Sequence, residues 1–178
     1  MSSFPIGGSS VAKKSVSISI CLLWLILPVP AASQSVMEAR NILCDRTVFF
    51  YDRGHGNQIE YFSANGLAYL WYPGNRGAVP SQWRLEARSG TGETTICFKY
   101  PRRGYNPVTK KYGGNWVCRL FSVFWSHTNG EPTVGDIFGL STGTVPYPLP
   151  NHPRVDPDNI ISPELQREAD PACMALTS

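Results

Sequence analysis

His55 stands in the run Asp52-Arg53-Gly54-His55-Gly56-Asn57, with Glu60 close behind it. Imidazole titrates near neutral pH, so a histidine oriented by Asp52 or Glu60 has the chemistry of a general base for hydrolysis. The same residue types equally suit a polar, glycine-rich turn, as does His127 in Ser126-His127-Thr128-Asn129-Gly130. The chain has no Gly-x-Ser-x-Gly elbow, so nothing points to a serine nucleophile on such a turn. It also lacks Gly-x-Gly-x-x-Gly and Gly-x-x-x-x-Gly-Lys-Ser/Thr, and nucleotide chemistry has no support. No residue is assigned a catalytic role, and a small hydrolase built on His55 stands as an alternative function.

A second cluster is electrostatic. Lys99, Arg102, Arg103, Lys110, Lys111 and Arg119 are six cations in a stretch, Lys99 to Arg119, that contains no acid. Such a loop attracts an anionic partner, either an envelope polymer or a membrane surface. The segment from Asn151 to Ser178 holds five acids against two arginines, so the chain also carries its own competing counter-charge. Tyr105 and Tyr112 interleave with the cations, a composition shared with single-strand nucleic-acid grooves. A third cluster, Trp71, Tyr72, Asn75 and Trp83, has the aromatic faces and polar handles of a carbohydrate platform. Aromatic residues are equally the ordinary filling of a small β-core.

The compartment follows from the N-terminus. Lys13 and Lys14 precede an apolar run from Val16 to Leu27, and then Pro28-Val29-Pro30-Ala31-Ala32-Ser33-Gln34. A charged start, a short apolar segment and small residues form the pattern of a secretory signal peptide. Twelve helical residues reach only about 18 Å, against about 30 Å of hydrocarbon, so this is not a membrane anchor. Residues 1–33 are therefore read as a leader, cleaved between Ala31 and Gln34, and the product as periplasmic or secreted. Of the 16 basic residues, two leave with the leader, so 14 face 13 acids. That near-neutral balance argues against a dedicated nucleic-acid binder, and an exported protein rarely meets nucleic acid.

Export makes the cysteines disulfide partners. Cys44, Cys97, Cys118 and Cys173 remain after the leader, and four cysteines allow three connectivities. Cys97 and Cys118 flank the basic, glycine-rich loop and suit paired strands. The favoured pairing is Cys97–Cys118, leaving Cys44–Cys173 to tie the start of the domain to its tail. No Cys-x₂-Cys pair exists and the histidines are scattered, so neither metal nor cofactor is expected.

The elements that must position these groups are read from pattern. Ser35 to Leu43 predicts a short helix leading into Cys44. From Thr47 to Leu140, short aromatic and β-branched runs separated by turn signals predict an all-β domain of seven or eight strands. Asn65-Gly66 between strand formers predicts a two-residue type I′ hairpin. That register pairs Ala64 with Leu67, Phe62 with Tyr69 and Glu60 with Trp71, with Tyr61–Leu70 and Ile59–Tyr72 on the other face. Both faces are then apolar, so the hairpin is either covered twice or lines a binding surface. Trp83, Leu85 and Ala87 alternate with Arg84, Glu86 and Arg88, the pattern of a half-buried strand. Strands are also expected over Thr94 to Tyr100, Trp116 to Phe124 and Val134 to Leu140. A small antiparallel meander, closed as a barrel or sandwich, would hide its edges. The β-domain is placed at 34–142. A proline-rich tail follows at 143–178, with a short helix from Glu164 to Ala169 after Ser162-Pro163 and Cys173 as its tether.

Taken together, His55-Gly56-Asn57-Gln58-Ile59-Glu60-Tyr61-Phe62, Gly66, Leu70-Trp71-Tyr72-Pro73-Gly74-Asn75, Trp83, Ile96-Cys97-Phe98 and Trp116-Val117-Cys118 carry a resemblance. Residues 45–140 resemble a family of small exported bacterial proteins described as a domain of unknown function. The resemblance implies a compact β-fold with a Cys97–Cys118 bridge, and it brings no activity, substrate or site residue. The leading expectation is an exported, non-catalytic binding module for an envelope or anionic ligand. A structural or inhibitory partner protein is the remaining alternative.

Overall fold

The computed structural model describes residues 34–174 except 107, 163 and 165–167. The leader at 1–33 lies outside the described residues. Ser35 opens helix α1 (Val36–Leu43) with a reciprocal cap: its side chain takes the Glu38 N–H while the Glu38 carboxylate takes the Ser35 N–H. Two orphan donors of the first turn are thereby satisfied.

Five strands then run as a meander: β1 (Arg46–Asp52), β2 (Gly56–Phe62), β3 (Leu67–Trp71), β4 (Val79–Ala87) and β5 (Thr94–Lys99). A small hairpin of β6 (Tyr105–Asn106) and β7 (Lys111–Tyr112) follows, then β8 (Val117–Leu120), helix α2 (Phe121–Trp125), β9 (Thr133–Val134), two single 3-10 turns and helix α3 (Pro171–Met174). The sheet is antiparallel, in the order β8-β5-β4-β3-β2-β1-β9. The fold is all-β with short helices. Its edge strands β8 and β9 do not pair, so the expected barrel closure is absent, and the sheet's faces are covered by helices and tail rather than by a second sheet.

The Asn65-Gly66 turn differs from expectation by one residue. Ser63 N–H bonds Leu67 O at 2.9 Å and Gly66 N–H bonds Ser63 O at 3.2 Å, so the loop has three residues. Gly66 alone has positive φ, at 82°, and the Asn65 side chain accepts the Leu67 N–H at 3.0 Å. This is a type I turn closed by a left-handed glycine. The slip gives Ile59↔Trp71, Tyr61↔Tyr69 and Phe62↔Ala68. It moves Trp71 and Tyr69 to the Ile59 face, because strand side chains alternate with period two.

Two cores result, one on each side of the sheet. On the first, Val48, Phe50, Phe62, Trp83, Ile96 and Phe98 pack under α1 and α2, with Phe124 against Phe50 at 4.9 Å and Phe98 at 5.8 Å. On the second, Phe49, Ile59, Tyr61 and Trp71 meet Leu140, which precedes the tail, and Leu149 within it. The central hairpin is covered twice.

Two further expectations are revised. The run Trp116 to Phe124 is a strand only to Leu120 and then turns into α2, which places Phe121 and Phe124 on the first core. Of the strand expected over Val134 to Leu140, Val134 pairs with β1, together with Thr133 before it. The sequel to Leu140 is instead a 3-10 turn held by Asp136, whose carboxylate accepts the Leu140 and Ser141 N–H groups. The helix expected from Glu164 to Ala169 falls largely outside the described residues.

The tail is held by side chains of the sheet. Asn57, 3% exposed, donates its amide to the carbonyls of Pro150, Asn151 and Pro153 and accepts the Val155 N–H at 2.8 Å. Cys44–Cys173 closes the far end, at a Cα separation of 5.6 Å, and Cys97–Cys118 bridges β5 and β8. Both favoured pairings are present. Replacing Asn57 with Ala strands several buried backbone groups, and we expect a loss on the order of 3 kcal/mol. Chemical denaturation will measure it, and limited proteolysis is expected to cut residues 143–160 of the variant before the sheet.

Candidate functional site

The groups singled out from the sequence fall into three features, the β1–β2 turn, the arm that leaves β5 and a cleft at the arm's base.

The first is the β1–β2 turn. Asp52 Oδ1 accepts the N–H groups of Gly54 and His55 at 2.7 and 2.8 Å, and Asp52 Oδ2 lies 2.9 Å from His55 Nδ1. Burial raises the Asp52 carboxyl, but these hydrogen bonds and the imidazole outweigh it and hold the group below the usual range. A histidine bonded through Nδ1 to a carboxylate presents Nε2 as its remaining basic atom. Both side chains are about one-third exposed, at 33% and 29%.

Glu60 does not join this pair. It sits deep in β2, opposite Val48 on one side and Leu70 on the other, and is 4% exposed. Its Oε1 has no partner among the described residues. Burial pushes its carboxyl up to about 8, against the opposing pull of the Arg119 charge and the Tyr100 hydroxyl. His127 also stands apart, bonding the Val123 carbonyl at 2.8 Å at the end of α2.

The second feature is the cationic arm, residues 100–116. Its base is drawn together by backbone bonds at three glycines: Gly104 N–H to Pro101 O, Gly113 N–H to Gly104 O and Gly114 N–H to Tyr100 O, at 2.8–2.9 Å. Gly113 approaches the carbonyls of Tyr100 and Pro101 so closely that no β-carbon fits. The Cys97–Cys118 bridge joins the two strands from which the arm springs. Arg102, Arg103, Lys110 and Lys111 are exposed. Among the described residues, no carboxylate forms an ion pair with any of these four. The tail's acids do not neutralise them by direct contact. The arm's turn leans toward the β1–β2 turn: a β-carbon at Gly54 would lie 3.7 Å from Val108 Cγ1.

Third, a cleft of about 360 Å³ opens at the base of the arm, lined by Pro80, Gln82, Lys99, Tyr100 and Arg102 among others. Beside it on the open half of the sheet, the Arg84 guanidinium lies over Trp116, 4.2 Å from the ring centroid. Sequence reasoning named Lys99 and Arg102 among the loop's cations, but gave no sign of Gln82 or of the cleft that these residues line. Lys99 pairs with Gln82 across β4 and β5, a juxtaposition that no local motif records.

The aromatic platform is not formed. Trp71 is fully buried in the core under the tail and Trp83 is 3% exposed in the opposite core. They lie on opposite faces of the sheet, and a single sugar ring cannot touch both. Trp71 stacks edge-on against Phe138 and Tyr147, while Tyr72 and Asn75 are half-buried at the following turn. Glu86 lies near the sulfur atoms of Cys97 and Cys118, but these are joined to each other and offer no thiolate to a metal.

No family model, curated protein or solved structure matches this chain. The reading of the site therefore rests on its own geometry.

The raised Glu60 carboxyl has a pH consequence. In the unfolded chain a glutamate titrates near 4.3, so between about 4.3 and 8 the folded protein holds a proton that the unfolded chain has released. Stability from this group is complete below the unfolded value, falls as pH rises through that window and levels off above it. Glu60→Gln is expected to flatten that slope and to be more stable than the parent at the alkaline end, measured by denaturant titration across pH.

Proposed function

We propose that the protein is an exported, non-catalytic binding module that captures anionic groups of the cell envelope at the cleft and arm formed by residues 99–116. The observation that carries this reading is the continuity of charge. Lys99 and Arg102 line a concave space, and Arg103, Lys110 and Lys111 continue the same sign outward with no acid in the stretch. Concave sites of this size suit one anionic group held by a few polar atoms, and the surrounding field raises its local concentration.

Export supports the same reading. The leader pattern at residues 1–33 supports a location outside the cytoplasm, and two disulfides fit an oxidising compartment. Among the described residues no helix is long and apolar enough to cross a membrane.

A second reading has its own observation, the 2.9 Å Asp52–His55 bond. An imidazole so oriented serves as the base of a small hydrolase acting on an anionic ester, with the arm's turn reaching toward it at Val108.

Both readings are open to test. Soluble polyphosphate is expected to bind the oxidised protein, more weakly at high salt, and the Lys99→Glu/Arg102→Glu variant to bind at least about tenfold more weakly, roughly 1.4 kcal/mol. Titration calorimetry will measure this. Against a panel of phosphate and carboxylate esters, the hydrolase reading expects His55→Ala to abolish turnover without shifting the melting temperature. Under the binding-module reading no ester is turned over.

A further inference from the structure

The arm exposes more than charge. Tyr112 is 71% exposed, Tyr105 47% and Val108 44%, in a chain that buries most of its other aromatic residues in two cores. Tyr105 and Tyr112 are cross-strand partners with ring centroids 5.1 Å apart, so they form one aromatic unit. The turn beyond them is shaped by Asn106, whose Oδ1 accepts the N–H groups of Val108 and Thr109 at 2.9 and 3.0 Å. An aliphatic side chain at a turn, a tyrosine pair behind it and cations around both make an ordered amphiphilic tip.

A hydrophilic polyanion would use the cations but would leave the exposed tyrosine pair and the exposed part of Val108 in water. A lipid headgroup layer uses all three. Tyrosine rings settle at the boundary between headgroups and acyl chains, Lys and Arg reach the phosphates with their stems in apolar surroundings, and an aliphatic tip enters the hydrocarbon margin.

From this juxtaposition we infer that the β6–β7 arm docks on an anionic lipid surface. In that pose Val108, Tyr105 and Tyr112 are seated in the interface, and Arg102, Arg103, Lys110 and Lys111 lie against lipid phosphates. The inference rests on the anionic-ligand reading above and adds the identity of the ligand. Each cation near an anionic leaflet adds about fivefold to partitioning, and this share is screened by salt. The apolar share is not screened.

The test is co-flotation of the oxidised protein, recovered after export, with vesicles of phosphatidylcholine alone or of phosphatidylcholine mixed with phosphatidylglycerol. We expect flotation with the mixed vesicles and not with phosphatidylcholine alone. Lys110→Glu/Lys111→Glu is expected to lose binding at low salt by more than about twenty-fold, two cations' worth. Val108→Ser/Tyr112→Ser is expected to keep its low-salt attraction but to lose the binding that survives at high salt. Circular dichroism and melting of each variant check that the fold is intact, as surface positions on the arm lead us to expect. Equal flotation of Val108→Ser/Tyr112→Ser and the parent at high salt overturns the seated tip. Absence of flotation while polyphosphate still binds overturns the lipid inference alone. Absence of both overturns the anionic-ligand reading as well.

Discussion

A sheet that is apolar on both faces has to be covered on both, and this constraint organises the molecule. Helices α1 and α2 cover one side. The other is covered by a proline-rich segment whose regular structure is limited to short turns such as Pro157–Asn159 and the single-turn helix α3. Such a cover has few backbone bonds to give, so it depends on side chains of the sheet to hold it. Asn57 supplies four of its hydrogen bonds to that segment from a single buried amide, and Asn129 adds bonds to Val155 and Arg154. Where those bonds are made, Leu149 and Ile160 can pack on Phe49, Ile59 and Trp71.

The cover stops short of the far half of the same face. There Arg84, Glu86, Trp116 and the Cys97–Cys118 bridge line the open sheet. At this end β5 is held by Ile96 and Phe98 in the first core and by the bridge, and the arm's base is gathered by its glycines. The arm can therefore be short, polar and exposed while leaving the protein at a defined angle. A site supported in this way adds little to stability, so its cations and tyrosines are free to be chosen for what they meet outside.

Much of the architecture is legible from local pattern. Ser35 three residues before Glu38 marks the start of α1. The alternation around Trp83 marks β4, and two cysteines flanking a glycine-rich loop mark the bridge. What is not legible depends on tertiary context. Phe121 to Trp125 has the composition of a strand and becomes a helix because its phenylalanines are needed on the first core. The Asn65 side chain decides a one-residue difference in register that sends Trp71 to the opposite face from the expected one. Trp71 and Trp83 look like neighbours in a platform until the pleat separates them. Asn57, the principal tether of the tail, has no signal at all, since its partners lie more than ninety positions away. The Asp52–His55 pair is local and was visible, whereas the walls of the cleft were not, because Lys99 and Gln82 meet only across a ladder.

The Cys44–Cys173 bridge spans 129 positions, and the covering segment is made after the strands that it covers. A growing chain that has reached Leu140 already has the strands of the meander, yet the side of the sheet that carries Trp71 still lies bare. For that interval the apolar residues of this face have no cover of their own, and the emergence of Leu149, Ile160 and Cys173 supplies both the cover and its fastening to Cys44.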